Sequence, residues 1–163
     1  MISQQPDIIF MVIMWTALAA VGACMGSFAS AMSYRIEQGK SWIQSRDKKS
    51  GKSVAARSCC PDCGHQLSWI DLVPILSWVA SHGRCRYCHR RISIKYPLVE
   101  GAGMVAMLLF FQIESREQWL LLFIMALPFS LAFGMLIINR VRPPLYVWCG
   151  LLIDLSLVII CGL

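Results

Sequence analysis

Charged side chains are scarce in this sequence, and their scarcity excludes an ordinary water-soluble domain. Asp, Glu, Lys and Arg together make up 15% of the 163 residues, whereas 57% of the residues are hydrophobic. The mean hydropathy is +0.60. A chain with so little polar surface cannot cover a soluble globule of this size, so we expect lipid around most of the molecule.

Acidic residues are scarcer than basic ones, and the basic ones are unevenly distributed. The chain has 9 Asp and Glu against 15 Lys and Arg, a formal charge of +6, and 12 of those 15 lie in residues 35–95. A basic segment between apolar ones is typical of a cytoplasmic loop between membrane spans, because such loops carry an excess of Lys and Arg. The positive charge therefore indicates topology, and no nucleic-acid partner is expected.

Four apolar segments predict an all-α polytopic membrane protein with about four transmembrane helices. The first, residues 8–33, is uncharged and longer than the roughly 20 residues that a helix needs to cross a bilayer. The residues before it lack the basic segment of a cleaved signal peptide. The other three are residues 98–113, 119–138 and 145–163, of which the first two are joined by an acidic turn at residues 114–117.

These segments divide the chain into three predicted parts. Residues 1–34 form the first transmembrane helix, residues 35–96 a cytoplasmic loop domain, and residues 97–163 a three-helix membrane region. The bias of basic residues toward the cytoplasm puts the loop, together with Arg140 and Arg142, on the cytoplasmic side of a bacterial inner membrane. No internal repeat is recognised in the sequence.

Two CxxC pairs in the loop predict a metal site. They are separated by 21 residues, which is close to the spacing of two turns that present four thiolates to one zinc ion. A loop of this size has little apolar core, so the metal would supply much of its folding free energy, and four thiolates leave no position for a catalytic water. The predicted ligands of this structural Zn²⁺ are Cys60, Cys63, Cys85 and Cys88.

Two other interpretations of the cysteines stay open at this point. Residues 85–89 also read CxxCH, the pattern of c-type haem attachment, which would leave the first CxxC pair without a role. A thiol redox relay between the two pairs would need an oxidising side or lowered thiol pKa values. Cys59 is expected not to be a ligand, because Cys60 has the CxxC interval, and His65, His82 and His89 are expected outside a shell that four thiols already fill.

Two packing predictions concern the remaining apolar residues. Gly22 and Gly26 give the first span small residues at an interval of four, which permits close approach of a second helix. Residues 69–79 form an apolar stretch that is too short to cross a bilayer. It is expected either to lie in the membrane interface or to pack under the metal.

Several motifs between residues 26 and 100 resemble those of a known family, the type IV prepilin leader peptidases, which are membrane enzymes that cleave prepilins and N-methylate the new terminus. The motifs occur in the family's order and cover the end of the first span, both CxxC pairs and the start of the second span. They are Gly26-Ser27-Phe28, Tyr34-Arg35, Cys60-Pro61-Asp62-Cys63-Gly64-His65, Pro74-Ile75-Leu76-Ser77-Trp78, Gly83-Arg84-Cys85-Arg86-Tyr87-Cys88, Ile92-Ser93 and Tyr96-Pro97-Leu98-Val99-Glu100.

The resemblance implies peptidase catalysis by two aspartates, but the sequence departs from that pattern. It contains no GxGD motif, and Asn139 stands where the first aspartate is expected, or Leu131 in an alternative register. An amide cannot accept a proton from water at neutral pH, so we expect no peptide cleavage by this chain alone. Asp154, a carboxylate in a span, is a further candidate, although a helix-pairing or pore-facing role is favoured for it.

The resemblance also implies a methyl-transfer site that uses S-adenosylmethionine. No GxGxxG motif follows a strand, so the pocket would have to lie between the loop and the spans. Glu100 is the candidate residue there, and the competing interpretation is a carboxylate paired with Lys95 or Arg35.

Three functions follow as hypotheses. The chain is a truncated or divergent prepilin peptidase/N-methyltransferase, or a non-catalytic zinc-loop module that binds prepilin or a partner peptidase, or a redox relay. The expected partners are membrane lipid, the N-terminal segment of a prepilin or pseudopilin, and a second membrane subunit that carries the catalytic aspartates.

Overall fold

The computed structural model describes residues 7–41, 43–46, 53–55, 57–113 and 117–160, and this part of the chain is mostly helical. The long helices are α1 (Ile8–Glu37), α3 (Lys95–Ile113), α4 (Glu117–Ile138) and α5 (Leu145–Ile160). They coincide with the four apolar segments of the sequence. Residues 114–116 of the predicted acidic turn lie outside the described residues.

Two of the described helices are long and apolar enough to cross a membrane. They are Ile8–Glu37 and Leu120–Ile138, whereas α5 contributes a shorter apolar helix, Leu145–Leu157. Helix α3 begins at a charged residue, Lys95, and a second charged residue, Glu100, follows about one turn further along. The structure thus confirms a mostly helical chain with membrane-type helices, and the number of spans stays a prediction.

The loop between α1 and α3 is only sparsely structured. It contains an antiparallel hairpin of β1 (Gln44–Arg46) and β2 (Ser53–Ala55), in which Ser45 is opposite Val54. A 3-10 turn (Ile70–Leu72) and the short helix α2 (Leu76–Ala80) follow. The hairpin is the one piece of sheet in the described residues, and the all-α prediction did not include it.

Helices α1 and α3 lie in backbone contact because glycines face each other at their crossing. A Cβ atom on Gly22 or on Gly103 would collide with the backbone carbonyl of the other glycine. A Cβ atom on Gly26 would lie 2.5 Å from the carbonyl oxygen of Val99 and 2.6 Å from Cα of Glu100. The predicted close approach at Gly22 and Gly26 is therefore confirmed.

An apolar core joins α3, α4 and α5. Phe110 on α3 stacks on Phe123 of α4 with the ring centroids 4.0 Å apart. Met107, Leu127 and Leu157 complete this buried cluster. The core fixes the positions from which the ends of α1 and α3 reach the loop.

Candidate functional site

The first CxxC pair forms a tight knuckle that two backbone hydrogen bonds close. The Cys60 N–H donates to the carbonyl of His65 at 2.9 Å, and the Gly64 N–H donates to the carbonyl of Cys60 at 2.9 Å. Gly64 has a φ of +69°, a left-handed conformation that costs little without a Cβ. This turn points the Cys60 and Cys63 side chains to the same side.

The second CxxC pair repeats the same turn 25 residues later. The Cys85 N–H donates to Arg90 at 2.8 Å and the His89 N–H donates to Cys85 at 2.9 Å, which matches the first knuckle bond for bond. His89 takes the left-handed place of Gly64, with a φ of +56°. The sequence analysis missed this repeat because, apart from the cysteines, the two knuckles share almost no side chains.

The two knuckles bring four thiols to one point. The Sγ atoms of Cys60, Cys63, Cys85 and Cys88 all lie within 4.8 Å of one another. The distance from Cys60 Sγ to Cys88 Sγ is 3.9 Å. Four sulfurs at the roughly 2.3 Å zinc–sulfur bond length stand about 3.8 Å apart in a tetrahedron. The cluster therefore fits a tetrahedral metal ion.

The electrostatics of the cluster also suit a cation. The backbone N–H groups of Cys88 and Tyr87 bond the Cys85 sulfur and lower the pKa of this thiol to about 7. Burial raises the pKa of the Cys60 thiol beside it. Four crowded thiols cannot all ionise without a positive charge between them, and a bound cation would supply that charge.

Neighbouring cysteines and histidines lie outside the cluster, as predicted. Cys59 is exposed and does not join the four converging sulfurs. The His65 ring stacks on the Tyr87 ring with centroids 3.6 Å apart, so it links the two knuckles by packing. Haem attachment at residues 85–89 would not account for the convergence of all four thiols.

Asp71 ties the 3-10 turn to the second knuckle in the cysteine head, the name used below for residues 57–93. Its Oδ2 accepts bonds from the Ser68 hydroxyl at 2.7 Å and the Ser68 N–H at 3.0 Å. Its Oδ1 lies 3.3 Å from Nη2 of Arg86. The bond from the Ser68 hydroxyl is the largest cause of a lowered Asp71 pKa. The sequence analysis did not single out this residue.

Glu100 holds a strained turn at the junction of the head with the helices. Ile75 has φ +61° and ψ −52°, and the Leu76 N–H donates to the Pro74 carbonyl at 2.5 Å, which together define a γ-turn of the rare type. The Ile75 N–H donates to Oε2 of Glu100 at 2.6 Å. A β-branched residue at positive φ is unfavourable, so this bond secures a conformation that the chain would otherwise avoid.

The competing interpretation of Glu100, a pair with Lys95 or Arg35, is wrong. The Lys95 Nζ donates to Oδ1 of Asn139 at 2.7 Å, and Nη2 of Arg35 donates to the carbonyl of Arg57. Glu100 itself is only 8% exposed. It is thus a buried carboxylate whose hydrogen bond goes to loop backbone.

A cavity of about 970 Å³ lies between the cysteine head and the adjoining ends of α1 and α3. Glu100 and Ser27 line its helix side, and Cys60 and Cys85 line its head side. Basic residues predominate over acidic ones around it. The basic lining residues are Arg35, Lys40, Arg57, Arg84, Arg86, Arg90 and Arg91. Its volume is at the upper end of the range for small-molecule sites.

Asn139 lies apart from Glu100, in a smaller cavity of about 240 Å³ that shares a wall with the first. Its Nδ2 donates to Oε1 of Glu37 at 2.6 Å, and its Oδ1 accepts from Lys95. An amide can satisfy an anion and a cation at once, whereas a carboxylate here would repel Glu37. Leu131, the alternative position, packs in the apolar core.

Asp154 joins neither cavity. Its Oδ2 accepts a hydrogen bond from the Ser130 hydroxyl on α4, and its buried Oδ1 has no partner among the described residues. This contact pairs α4 with α5. The structure therefore does not bring the three candidate catalytic residues together.

Comparisons with known proteins agree with the resemblance. Residues 20–113 match the family described as the bacterial peptidase A24 N-terminal domain. The chain is similar to a prepilin leader peptidase/N-methyltransferase of Myxococcus xanthus, 37% identical over 102 residues, which cover 63% of this chain and 26% of that protein. It is also similar to one of Vibrio cholerae, 36% identical over 100 residues that cover 61% and 36% of the two chains.

A third relative has a higher identity over a shorter range. The protein of the same name from Aeromonas hydrophila is 49% identical over 47 residues, 29% of this chain and 16% of that protein. The matches thus span about a third or less of these relatives' own length. No solved structure matches the chain.

Proposed function

This chain belongs to the family of bacterial A24 peptidase N-terminal domains, and from that membership we propose that it acts in processing type IV prepilins or type II secretion pseudopilins. Its part is methyl transfer to the processed N-terminus, and it has no aspartyl peptidase activity of its own. The relatives that carry both activities are named prepilin leader peptidase/N-methyltransferase.

The proposed topology has four spans in the bacterial inner membrane. Residues 1–34 hold the first, residues 35–96 form a cytoplasmic domain, and residues 97–163 hold the other three. The concentration of Lys and Arg in residues 35–95 supports this orientation. A reducing cytoplasm would also keep the four thiols free to bind a metal.

The proposed metal is one structural Zn²⁺, held by Cys60, Cys63, Cys85 and Cys88. An all-sulfur tetrahedral site of this size favours zinc over harder cations, which prefer oxygen. Because the four thiolates fill the shell, the ion would order the loop and would not bind substrate. Its role is to hold the head side of the large cavity in shape.

The cavity between head and helices is the observation that carries the proposal. S-adenosylmethionine bound there would supply an electrophilic methyl group, and the cavity is large enough for it and a peptide terminus. The guanidinium groups on the head side suit the carboxylate of that cofactor. Glu100 on the opposite wall would orient the amine that is methylated and take up its proton.

The lack of peptidase activity is supported by Asn139. Its side chain bonds Glu37 and Lys95 and offers no carboxylate to activate a water. Peptide cleavage would then require a second membrane subunit that carries the aspartates. The same observation favours a second candidate function, a non-catalytic module that docks prepilin for such a subunit.

The proposal is tested with purified protein in nanodiscs, labelled S-adenosylmethionine and a peptide with a processed pilin N-terminus. We expect methyl incorporation by the unaltered chain and a loss of about tenfold or more in Glu100→Gln, since a neutral amide cannot take up a proton. The amide can still accept the Ile75 N–H, so the turn should persist. Glu37→Gln is the matched control, because Glu37 lies outside the large cavity, and it should retain methyl transfer.

Each alternative has its own result in the same preparation. Copurification of prepilin without methyl incorporation would overturn methyl transfer and favour the docking module. Less than one zinc per chain, with a thiol count that changes with oxidant, would favour the redox relay. Methyl transfer that survives in Glu100→Gln would remove Glu100 from the proposed chemistry.

A further inference from the structure

An apolar ridge on the cysteine head has no protein partner among the described residues. It consists of Trp69, Ile70, Leu76 and Val79, and Trp69, Leu76 and Val79 are 78%, 67% and 58% exposed. Leu76 and Val79 are three residues apart on α2 and so share one face. Large side chains this exposed, all within residues 69–79, mark an interaction surface.

The opposite side of the same segment is packed against the second knuckle. A Cβ atom on Gly83 would lie only 2.8 Å from the Trp78 ring. The indole N–H of Trp78 donates to the Ile92 carbonyl at 3.2 Å. The acidic side chain of the segment, Asp71, is turned to Ser68 and Arg86. The segment is therefore two-sided, with its polar contacts inward and its apolar ridge outward.

The depth of the ridge is set by the bond between Ile75 and Glu100. Glu100 lies five residues inside α3, about 7 to 8 Å along the helix axis from its first residue. The backbone of Glu100 in turn contacts Gly26, which is about 16 Å from the end of α1 at 1.5 Å per residue. Ile75 is thus level with the bodies of the two helices and does not stand beyond their ends.

We propose that this ridge inserts into the membrane interface and anchors the cysteine head on the bilayer. The ridge has no charge of its own and is attached level with the body of α1, a helix long and apolar enough to cross a membrane, so it faces lipid. Exposed Arg84, Arg90 and Arg91 on the neighbouring knuckle would meet anionic headgroups. The anchor would hold the mouth of the large cavity at the lipid surface, and it does not depend on methyl transfer.

The test uses nanodiscs that contain one copy of the chain each, with anionic lipid. Hydroxyl-radical footprinting should modify Trp69 about tenfold less than in the denatured chain, because insertion removes water from the ring. A lipid with a carbene-forming acyl chain should label the peptide that contains residues 69–79. Ile43 is the internal control, since it is 59% exposed and lies next to the hairpin. It should stay reactive toward water and unlabelled by lipid.

Variants separate anchoring from folding. Trp69→Ser with Leu76→Ser should abolish lipid labelling of the head while the metal content per chain is unchanged, and Ile43→Ser should change neither. Protection of Trp69, relative to the denatured chain, that is no greater than the protection of Ile43 measured in the same way would overturn the proposal. Absence of lipid label on residues 69–79 would overturn it as well. Protection of Trp69 that appears only with two copies per disc would overturn it too, in favour of self-association.

Discussion

The cysteine head and the four long helices differ in what is buried inside them. Among the described residues, the buried apolar side chains of the head are those of Cys60 and Cys85, whereas all the others lie in the helices. The helices can therefore be held by packing, but the head cannot. The metal proposed at the four thiols, together with a few polar bonds, would then hold the head, which would make the two regions separable by mutation.

The largest expected effect is loss of the metal from the head. We expect Cys60→Ser to release the ion and unfold residues 57–93, since structural zinc sites contribute about 10 to 16 kcal/mol to folding in small peptides. Zinc content and limited proteolysis measure this. Cys59→Ser is the matched control, because Cys59 is exposed and outside the cluster, and it should keep both metal and protection.

The comparison also predicts what metal loss leaves intact. Helices α1, α3, α4 and α5 should remain folded in Cys60→Ser or after chelation, because their core contains no thiol ligand. Helical circular dichroism that falls to the level of an unfolded chain would show that the two regions are not separable.

A smaller effect is expected from breaking the helix pair. Gly103→Ala places a methyl group against the carbonyl of Gly22 and should destabilise the α1–α3 pair by about 1 to 3 kcal/mol. Thermal unfolding in detergent measures it. Gly101→Ala on the same helix meets no atom within 4 Å and serves as the control. Equal melting temperatures for the two variants would contradict the backbone contact.

The smallest expected effect lies in the polar bonds of the head. Asp71→Asn should lower the stability of the metal-loaded head by about 1 kcal/mol, because the hydrogen bonds from Ser68 lose their charged acceptor. Asp62→Asn is the control, because Asp62 is an exposed carboxylate of the same head, and this change should leave the stability unaltered. The rate of metal release to a chelator is a suitable measure.

The pH dependence of this effect has a definite sign. The folded head lowers the Asp71 pKa below its ordinary 3.8, so the contribution is fully present above that value and is lost only as the pH falls through the folded pKa. The difference between Asp71→Asn and the unaltered chain should hence be constant from pH 5 to pH 8. A difference that grows or shrinks across that range would assign it to another group.

Much of the architecture could be predicted because it depends on local patterns. Runs of apolar residues fix helices of membrane type, and the CxxC interval fixes which thiol of residues 59 and 60 joins the cluster. The glycine spacing at Gly22 and Gly26 predicted a close helix contact, which the structure confirms, but its partner Gly103 was not predicted. Small-residue spacing on one helix predicts that a second helix can pack closely against it. It does not identify the second helix or the residue that makes the contact.

The sequence by itself determined the apolar helices, the four thiols and the family, since each follows from residue type and spacing along the chain. Only the tertiary structure decided the partners of the buried polar groups: Glu100 with the Ile75 turn, Asn139 between Glu37 and Lys95, and Asp154 with Ser130. The physical reason is that a buried polar group bonds whatever the packing of helices brings near, and that packing joins residues far apart in the chain.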